Sequence, residues 1–157
     1  MIVVADTTPL NYLILIDEIE LLPILYQRVL IPEEVHRELQ NFGAPALVRK
    51  WASSIPSWCE VRPAPATFDI RLDEIDSGER DAIQLALANG IDTLLMDDSD
   101  GRRVALRHHL AVTGTVGVLE NAAQLKLVNF RSALDRLQKT NFRFSKALRE
   151  DFLKRNP

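Results

Sequence analysis

Cysteine is almost absent from this chain of 157 residues, which contains only Cys59. A single thiol excludes an internal disulfide bond and a zinc site built from several thiolates. No apolar run approaches the roughly 20 residues needed to cross a bilayer. Residues 1–16 contain Asp6 and no basic stretch, so we expect no secretory signal. These absences predict a soluble protein of a reducing compartment, which we place in the cytoplasm, with no membrane partner.

Repeats, low-complexity tracts and an internal linker are also missing, and the length and 46% hydrophobic content fit one domain over residues 1–157. The net charge of −3 is unevenly distributed. Residues 131–157 hold eight basic and three acidic residues (+5), whereas the other 130 residues hold 11 and 19 (−8). We therefore predict a basic helical C-terminal segment at about 130–157. It is either a segment lying beside an acidic, metal-binding body or a solvated helical tail.

Helical and strand patterns alternate along the chain, which predicts an α/β domain with a mainly parallel five-stranded sheet. We expect strands near 2–6, 28–31, 58–62, 93–97 and 109–113. Helices are expected near 9–15, 18–26, 33–41, 45–54, 77–89, 100–107, 115–126, 130–139 and 145–154. Pro23 would kink or end the second helix, and residues 63–69 have the composition of a loop.

Acidic residues follow two of these strands. Asp6 comes directly after an apolar run, and Asp97 and Asp98 come directly after Leu94-Leu95-Met96. Parallel sheets place functional groups beyond the carboxyl ends of their strands, so both strands would direct acids at one crevice. Alternatively, Asp6 is a helix N-cap and the Asp97-Asp98 pair forms a turn. We favour Asp98 as a metal ligand, with Asp97 as its support.

Two predicted helices carry further acids. Glu38 follows Val35 by three residues, at the edge of a buried stripe, although it can equally be solvated. Glu79 shares a helix face with Ala82 and Ile83. A carboxylate on that apolar face costs several kcal/mol unless it has a partner or a cation. The alternative is that Glu79 closes a capping box with Asp76.

The combination of acids predicts a metal site. Two unit charges 4 Å apart repel by about 4 kcal/mol at an effective dielectric constant of about 20, so several converging carboxylates require a divalent cation. Oxygen ligands without a cysteine cluster favour Mg²⁺ or Mn²⁺ over zinc, and such a site suggests phosphodiester chemistry. The predicted catalytic and metal-binding residues are Asp6, Glu38, Glu79 and Asp98, with Asp97 as an additional metal ligand.

Four residues are candidates for substrate contacts. Thr8 can orient Asp6 or a bound water, and Arg102 and Arg103 can neutralise RNA phosphates unless they are simply exposed helix residues. Thr115 starts a helix that could offer backbone N–H groups to a phosphate, or it is only the N-cap of that helix. In the C-terminal segment, Phe142, Phe144 and Phe152 lie among basic residues and could stack on bases, although helix packing explains them as well.

Five stretches, in this order and spacing, resemble a PIN-domain nuclease over most of the chain. They are Val3-Val-Ala-Asp-Thr-Thr-Pro-Leu10, Ile31-Pro-Glu-Glu-Val-His-Arg-Glu-Leu39, Asp76-Ser-Gly-Glu-Arg-Asp-Ala-Ile83, Leu94-Leu-Met-Asp-Asp-Ser-Asp-Gly-Arg-Arg-Val-Ala105 and Thr113-Gly-Thr-Val-Gly-Val-Leu119. The resemblance implies a three-layer α/β/α sandwich and a metal-dependent ribonuclease in which Asp6, Glu38, Glu79 and Asp98 bind the metal. Many such proteins are VapC-type toxins, so an antitoxin and a homodimer are implied partners.

The chain departs from many PIN toxins at two places. They carry Asp where this chain has Glu79, and Thr-x-Asp-x-x-Phe where it has residues 96–101. These departures resemble a less characterised PIN subgroup. Two other functions compete with the ribonuclease: a haloacid-dehalogenase-like phosphatase, although the second Asp of that family is replaced here by Thr8, and a catalytically inactive RNA-binding or protein-interaction module.

Overall fold

The fold was analysed in a computed structural model that describes residues 1–67, 70 and 74–157. The strands are β1 Ile2–Ala5, β2 Arg28–Pro32, β3 Cys59–Arg62, β4 Thr93–Leu95 and β5 Ala111–Thr113. They form one sheet in the order β3-β2-β1-β4-β5, with every neighbouring pair parallel. The predicted parallel five-stranded sheet is confirmed.

The helices follow the sequence pattern closely. They are α1 Thr7–Leu15, α2 Leu21–Leu25, α3 Glu33–Leu39, α4 Ala46–Ser53, α5 Ser77–Ala88, α6 Ser99–Arg107, α7 Thr115–Gln124, α8 Phe130–Gln138 and α9 Lys146–Arg155. Helix α2 is shorter than predicted, and Pro23 lies within its first turn, where a missing N–H breaks no helical hydrogen bond. No helix in the described ranges is long and apolar enough to cross a membrane.

One predicted strand begins later in the structure than the sequence indicates. Strand β5 begins at Ala111 rather than near 109, because His109 adopts a left-handed backbone conformation (φ 63°) just after α6 and cannot continue a strand. In the predicted loop at 63–69, residues 63–67 have no regular secondary structure. Residues 68 and 69 lie outside the described residues.

The sheet is covered on both faces, which confirms the three-layer α/β/α sandwich. Strand side chains alternate between faces, so Val3 and Val4, both fully buried, enter separate apolar clusters. Val3 packs in the larger cluster with residues of α1, α7 and α8. Val4 packs in the smaller cluster with residues of α5 and α6.

The basic C-terminal segment contains helices α8 and α9, which differ in burial. Helix α8 buries an apolar face consisting of Phe130, Ala133, Leu134 and Leu137. Helix α9 has no fully buried residue. Salt bridges join it to the body: Arg155 pairs with Glu120, and Arg149 pairs with Asp135.

Candidate metal centre

The site lies where the order of the sheet reverses. Strands β1 and β4 are neighbours, with Ala5 opposite Leu95, and the N–H of Asp6 donates to the carbonyl of Leu95 at 2.9 Å. The two strands therefore end at the same edge of the sheet, and each is followed by a helix. This is the position at which open parallel sheets form ligand-binding crevices.

Asp6 occupies the N-cap position of α1, but its side chain makes no capping hydrogen bond. The residue is only 4% exposed. Burial raises the pKa of Asp6 from 3.8 to about 7, opposed by the Thr7 N–H and reinforced by the charges of Asp76, Glu38 and Asp97. The sequence alternative of a simple helix cap therefore does not account for this carboxyl group.

Glu38 reaches the start of α1 from the end of α3. Val35 and Leu39 are fully buried, as the predicted stripe requires, and Glu38 is half-buried beside them. The Thr7 hydroxyl donates to Glu38 Oε2 at 2.5 Å. Burial raises the pKa of Glu38, the Thr7 bond opposes this, and the nearby charge of Asp76 adds to it. Glu38 is thus held in the crevice rather than solvated.

Glu79 points inward from the first turn of α5 and is 7% exposed. Burial and, to a lesser extent, the charges of Asp76, Asp98 and Asp6 together raise its pKa from 4.5 to about 8. The helix is capped as well, because Asp76 Oδ1 accepts the Glu79 N–H at 2.8 Å. The cap and the inward carboxylate therefore coexist.

Asp97 and Asp98 follow β4 but make different contacts. Asp97 accepts the Thr115 N–H at 2.8 Å and the Thr115 hydroxyl at 2.6 Å. Burial raises the pKa of Asp97, while the Thr115 bonds and the Arg102 charge lower it. Asp98 is exposed and caps α6, accepting the Gly101 N–H at 2.9 Å. Asp97 acts electrostatically on Asp6, and Asp98 acts on Glu79.

Asp76 is an acid that sequence reasoning assigned only to capping. Its charge raises the pKa of Asp6, Glu38 and Glu79 alike, so it lies among them. A sequence signal was available. An N-cap carboxylate sits at the same helix end as a residue three positions later, so an inward Glu79 brings Asp76 to the edge of the same crevice.

Two glycines leave the space that these carboxylates occupy. A Cβ on Gly78 would overlap Glu38 Oε1 and lie 3.2 Å from its Cδ. A Cβ on Gly101 would lie 3.3 Å from Glu79 Oε2 and 2.6 Å from the sulfur of Met96. At Gly78 and Gly101 the backbone therefore lies close to Glu38 and Glu79, and a side chain at either position would collide with its neighbours.

The predicted substrate residues fall into different surroundings. Thr8 is half-buried in the first turn of α1, near the acids. Arg103 is exposed and forms an ion pair with Asp100 on the surface of α6 at 3.0 Å. The structure thus places Thr8 two residues after Asp6 in α1 and leaves Arg103 on the helix exterior.

Arg102 and Thr115 both lie beside Asp97. A Cβ on Gly114 would sit 2.7 Å from Asp97 Oδ1 and 3.1 Å from Arg102 Nη1, which places the guanidinium at the crevice. Thr115 is fully buried, and its N–H and hydroxyl are both directed to Asp97. The N-cap of α7 is Gly114, so the alternative in which Thr115 is the N-cap of this helix was wrong.

The donor atoms of the site are carboxylate oxygens, a type that binds divalent cations. Within the described part of the chain, no ion pair joins Asp6, Glu38 or Glu79 to a lysine or arginine. In the same residues, no group of three His, Cys, Asp or Glu side chains is arranged so that it could hold a metal ion. The oxygen donors are the type that Mg²⁺ and Mn²⁺ prefer, and a cation would offset their mutual repulsion.

A family model described as a PIN domain matches residues 2–156, nearly the whole chain. No curated protein and no solved structure matches significantly.

Proposed function

The chain belongs to the PIN-domain family, and we propose that it is an endoribonuclease that uses Mg²⁺ or Mn²⁺ to hydrolyse RNA phosphodiester bonds. The family points to a nuclease, and its members generally use divalent metals. The observation that carries the proposal is the buried Asp6 carboxyl, whose pKa is raised to about 7 among other acids. A buried acid without a neutralising lysine or arginine is suited to holding a cation.

In this proposal, Asp6, Glu38, Glu79 and Asp98 hold the cation, with Asp97 as a further ligand or as support. A bound divalent cation lowers the pKa of a coordinated water and stabilises charge that develops on the phosphate. The protein's part is positioning. Thr7 orients Glu38, and Thr115 orients Asp97 through two hydrogen bonds.

Arg102 is proposed to hold a phosphate of the substrate. Its guanidinium lies next to Asp97 at the crevice, whereas Arg103 is paired with Asp100 on the outer surface of α6. Thr8, in the first turn of α1, would orient a water beside Asp6. None of the acids needs to act as a covalent nucleophile.

Metal binding is tested by calorimetric titration of Mn²⁺ into the wild type and into a Glu79→Gln, Asp98→Asn double variant. We expect binding by the wild type that the double variant loses. A folded wild type that binds no Mn²⁺ would favour the inactive interaction module.

Cleavage is tested with single-stranded RNA in Mn²⁺ and in EDTA. Wild type should cleave only with the metal, and Asp6→Asn should be inactive while remaining folded. Asp17→Asn is a matched control because Asp17 is exposed at the end of α1, in a left-handed conformation that asparagine tolerates. A fully active Asp6→Asn protein would end the mechanism, and an aspartyl-phosphate trapped on Asp6 would instead support the phosphatase.

A toxin role, with an antitoxin as partner and a homodimer as the assembly, is the finer part of this proposal and is supported by the family resemblance. It predicts growth arrest when the wild type is expressed in a bacterial host and normal growth with Asp6→Asn at equal protein level. Sedimentation analysis of the purified chain tests the homodimer. Equal growth with both proteins would leave an endoribonuclease without toxin activity.

A further inference from the structure

A groove leads away from the acids toward the C-terminal segment. It encloses about 470 Å³ between the start of α7 and the chain around α9. We call it the tail groove, and its lining includes Asp97, Arg102, Phe142, Arg143, Phe144 and Phe152. Because Asp97 and Arg102 belong to both, the tail groove is continuous with the candidate metal centre.

Aromatic rings follow one another along this groove. Tyr12 and Phe142 meet edge to face at 4.9 Å between ring centroids. Phe142 is 6.0 Å from Phe144, which is 6.0 Å from Phe152. The three phenylalanines are only partly buried against the core, so part of each ring remains open. Such rings can stack on nucleic-acid bases without regard to their sequence.

The tail groove contains a positively charged side chain that forms no salt bridge with another described residue. Arg143 is exposed and, within the described residues, takes part in no salt bridge; its charge acts on Tyr12. Glu120, an acid of the lining, is bound by Arg155 at 3.2 Å and by Asn156 at 2.9 Å. An anionic ligand would therefore meet a free guanidinium and carboxylates that already have partners.

We propose that the tail groove binds single-stranded RNA that flanks the scissile phosphodiester, with Arg143 on a phosphate and Phe142 and Phe144 against bases. This inference rests on the proposed ribonuclease function and names the path of its substrate. Single strands suit the groove because their bases are free to stack on the rings, whereas bases in a duplex are not.

The test is fluorescence anisotropy of a labelled single-stranded RNA of about 10 nucleotides with the full chain in EDTA, where metal-dependent cleavage cannot occur. We expect Arg143→Gln to weaken binding about tenfold at low salt. The slope of the logarithm of the binding constant against the logarithm of the salt concentration should become less steep by about one. Phe144→Leu should weaken binding by about five- to tenfold and leave the slope unchanged. Arg131→Gln, an exposed position on α8, is the matched control and should bind like wild type.

The outcomes separate this inference from the function on which it rests. Groove variants that bind and cleave RNA like wild type would overturn the inference and leave the nuclease intact. Equal losses in Arg143→Gln and Arg131→Gln would also overturn it, because they indicate general attraction to basic charge. If RNA binding depends on Arg143 but the protein cleaves no RNA with Mn²⁺, the tail groove is supported as an RNA-binding site and the proposed nuclease activity is rejected.

Discussion

Gly78 lies so close to Glu38 that a methyl group at position 78 would overlap the Oε1 atom of the glutamate. Helix α5 therefore begins where α3 ends, and only a glycine leaves room for the carboxylate between them. Glycine in a helix is less favourable than alanine by up to about 1 kcal/mol. The position is thus better explained by the placement of Glu38 than by the stability of α5.

Replacing Gly78 by Ala should displace the Glu38 carboxylate, which is the flexible end of its side chain. We expect an unfolding free energy within about 1 kcal/mol of wild type, together with about tenfold weaker Mn²⁺ binding in calorimetric titration. Gly43→Ala is the control, because its Cβ would make an ordinary 3.5 Å contact with Asn41. Unchanged Mn²⁺ affinity in Gly78→Ala would show that the position of Glu38 is not needed for binding.

Asp6→Asn should stabilise the metal-free protein at pH 8 while abolishing cleavage. The folded pKa of Asp6 is about 7 against an ordinary value of 3.8, so at pH 8 the folded state carries the cost of an ionised buried group. Removing that charge should add about 1–4 kcal/mol to the unfolding free energy, measured by urea denaturation in EDTA. Asp17→Asn should change little, and a less stable Asp6→Asn protein would contradict this account.

The metal-free protein should lose stability as pH rises. Asp6 and Glu79 have folded pKa values raised to about 7 and about 8, so above pH 4 the folded state binds more protons than the unfolded state. The contribution of these two residues to the free energy of unfolding is therefore complete at low pH and is lost as the pH rises through about 8. Thermal unfolding in EDTA should show the melting temperature falling from pH 5 to pH 8.5, and saturating Mn²⁺ should flatten that fall. A melting temperature that rises over this range would contradict the raised pKa values.

Most of the fold could be predicted from sequence because its signals are local. Apolar runs ending in Asp6 and Asp97 located β1 and β4, and the helix predicted near 77–89 corresponds to α5, Ser77–Ala88. The start of β5 was predicted too early because the apolar pattern does not reveal the left-handed backbone conformation of His109. Strand order depends on long-range packing, which periodicity does not encode.

The candidate site was predictable in part for the same reason. The acids at strand ends were found because parallel strands share an edge, and Glu79 was found from its apolar helix face. Thr7 and Thr115 could not be assigned as partners of Glu38 and Asp97, because those hydrogen bonds join segments far apart in sequence.

Asp76 offers a test that separates capping from a role among the acids. Asn caps helices about as well as Asp, so Asp76→Asn should keep the bond to the Glu79 N–H and preserve α5. It removes a charge that raises the pKa of Asp6, Glu38 and Glu79, so all three should ionise at lower pH. We expect Asp76→Asn to weaken Mn²⁺ binding about tenfold at little cost in stability, because the lost attraction of a nearby negative charge outweighs the easier ionisation of the other three acids. Asp76→Ala should weaken binding similarly and also destabilise the fold by about 1 kcal/mol through loss of the cap. Wild-type Mn²⁺ affinity in Asp76→Asn, measured by calorimetry at pH 7.5, would restrict Asp76 to capping and leave the metal to the other acids.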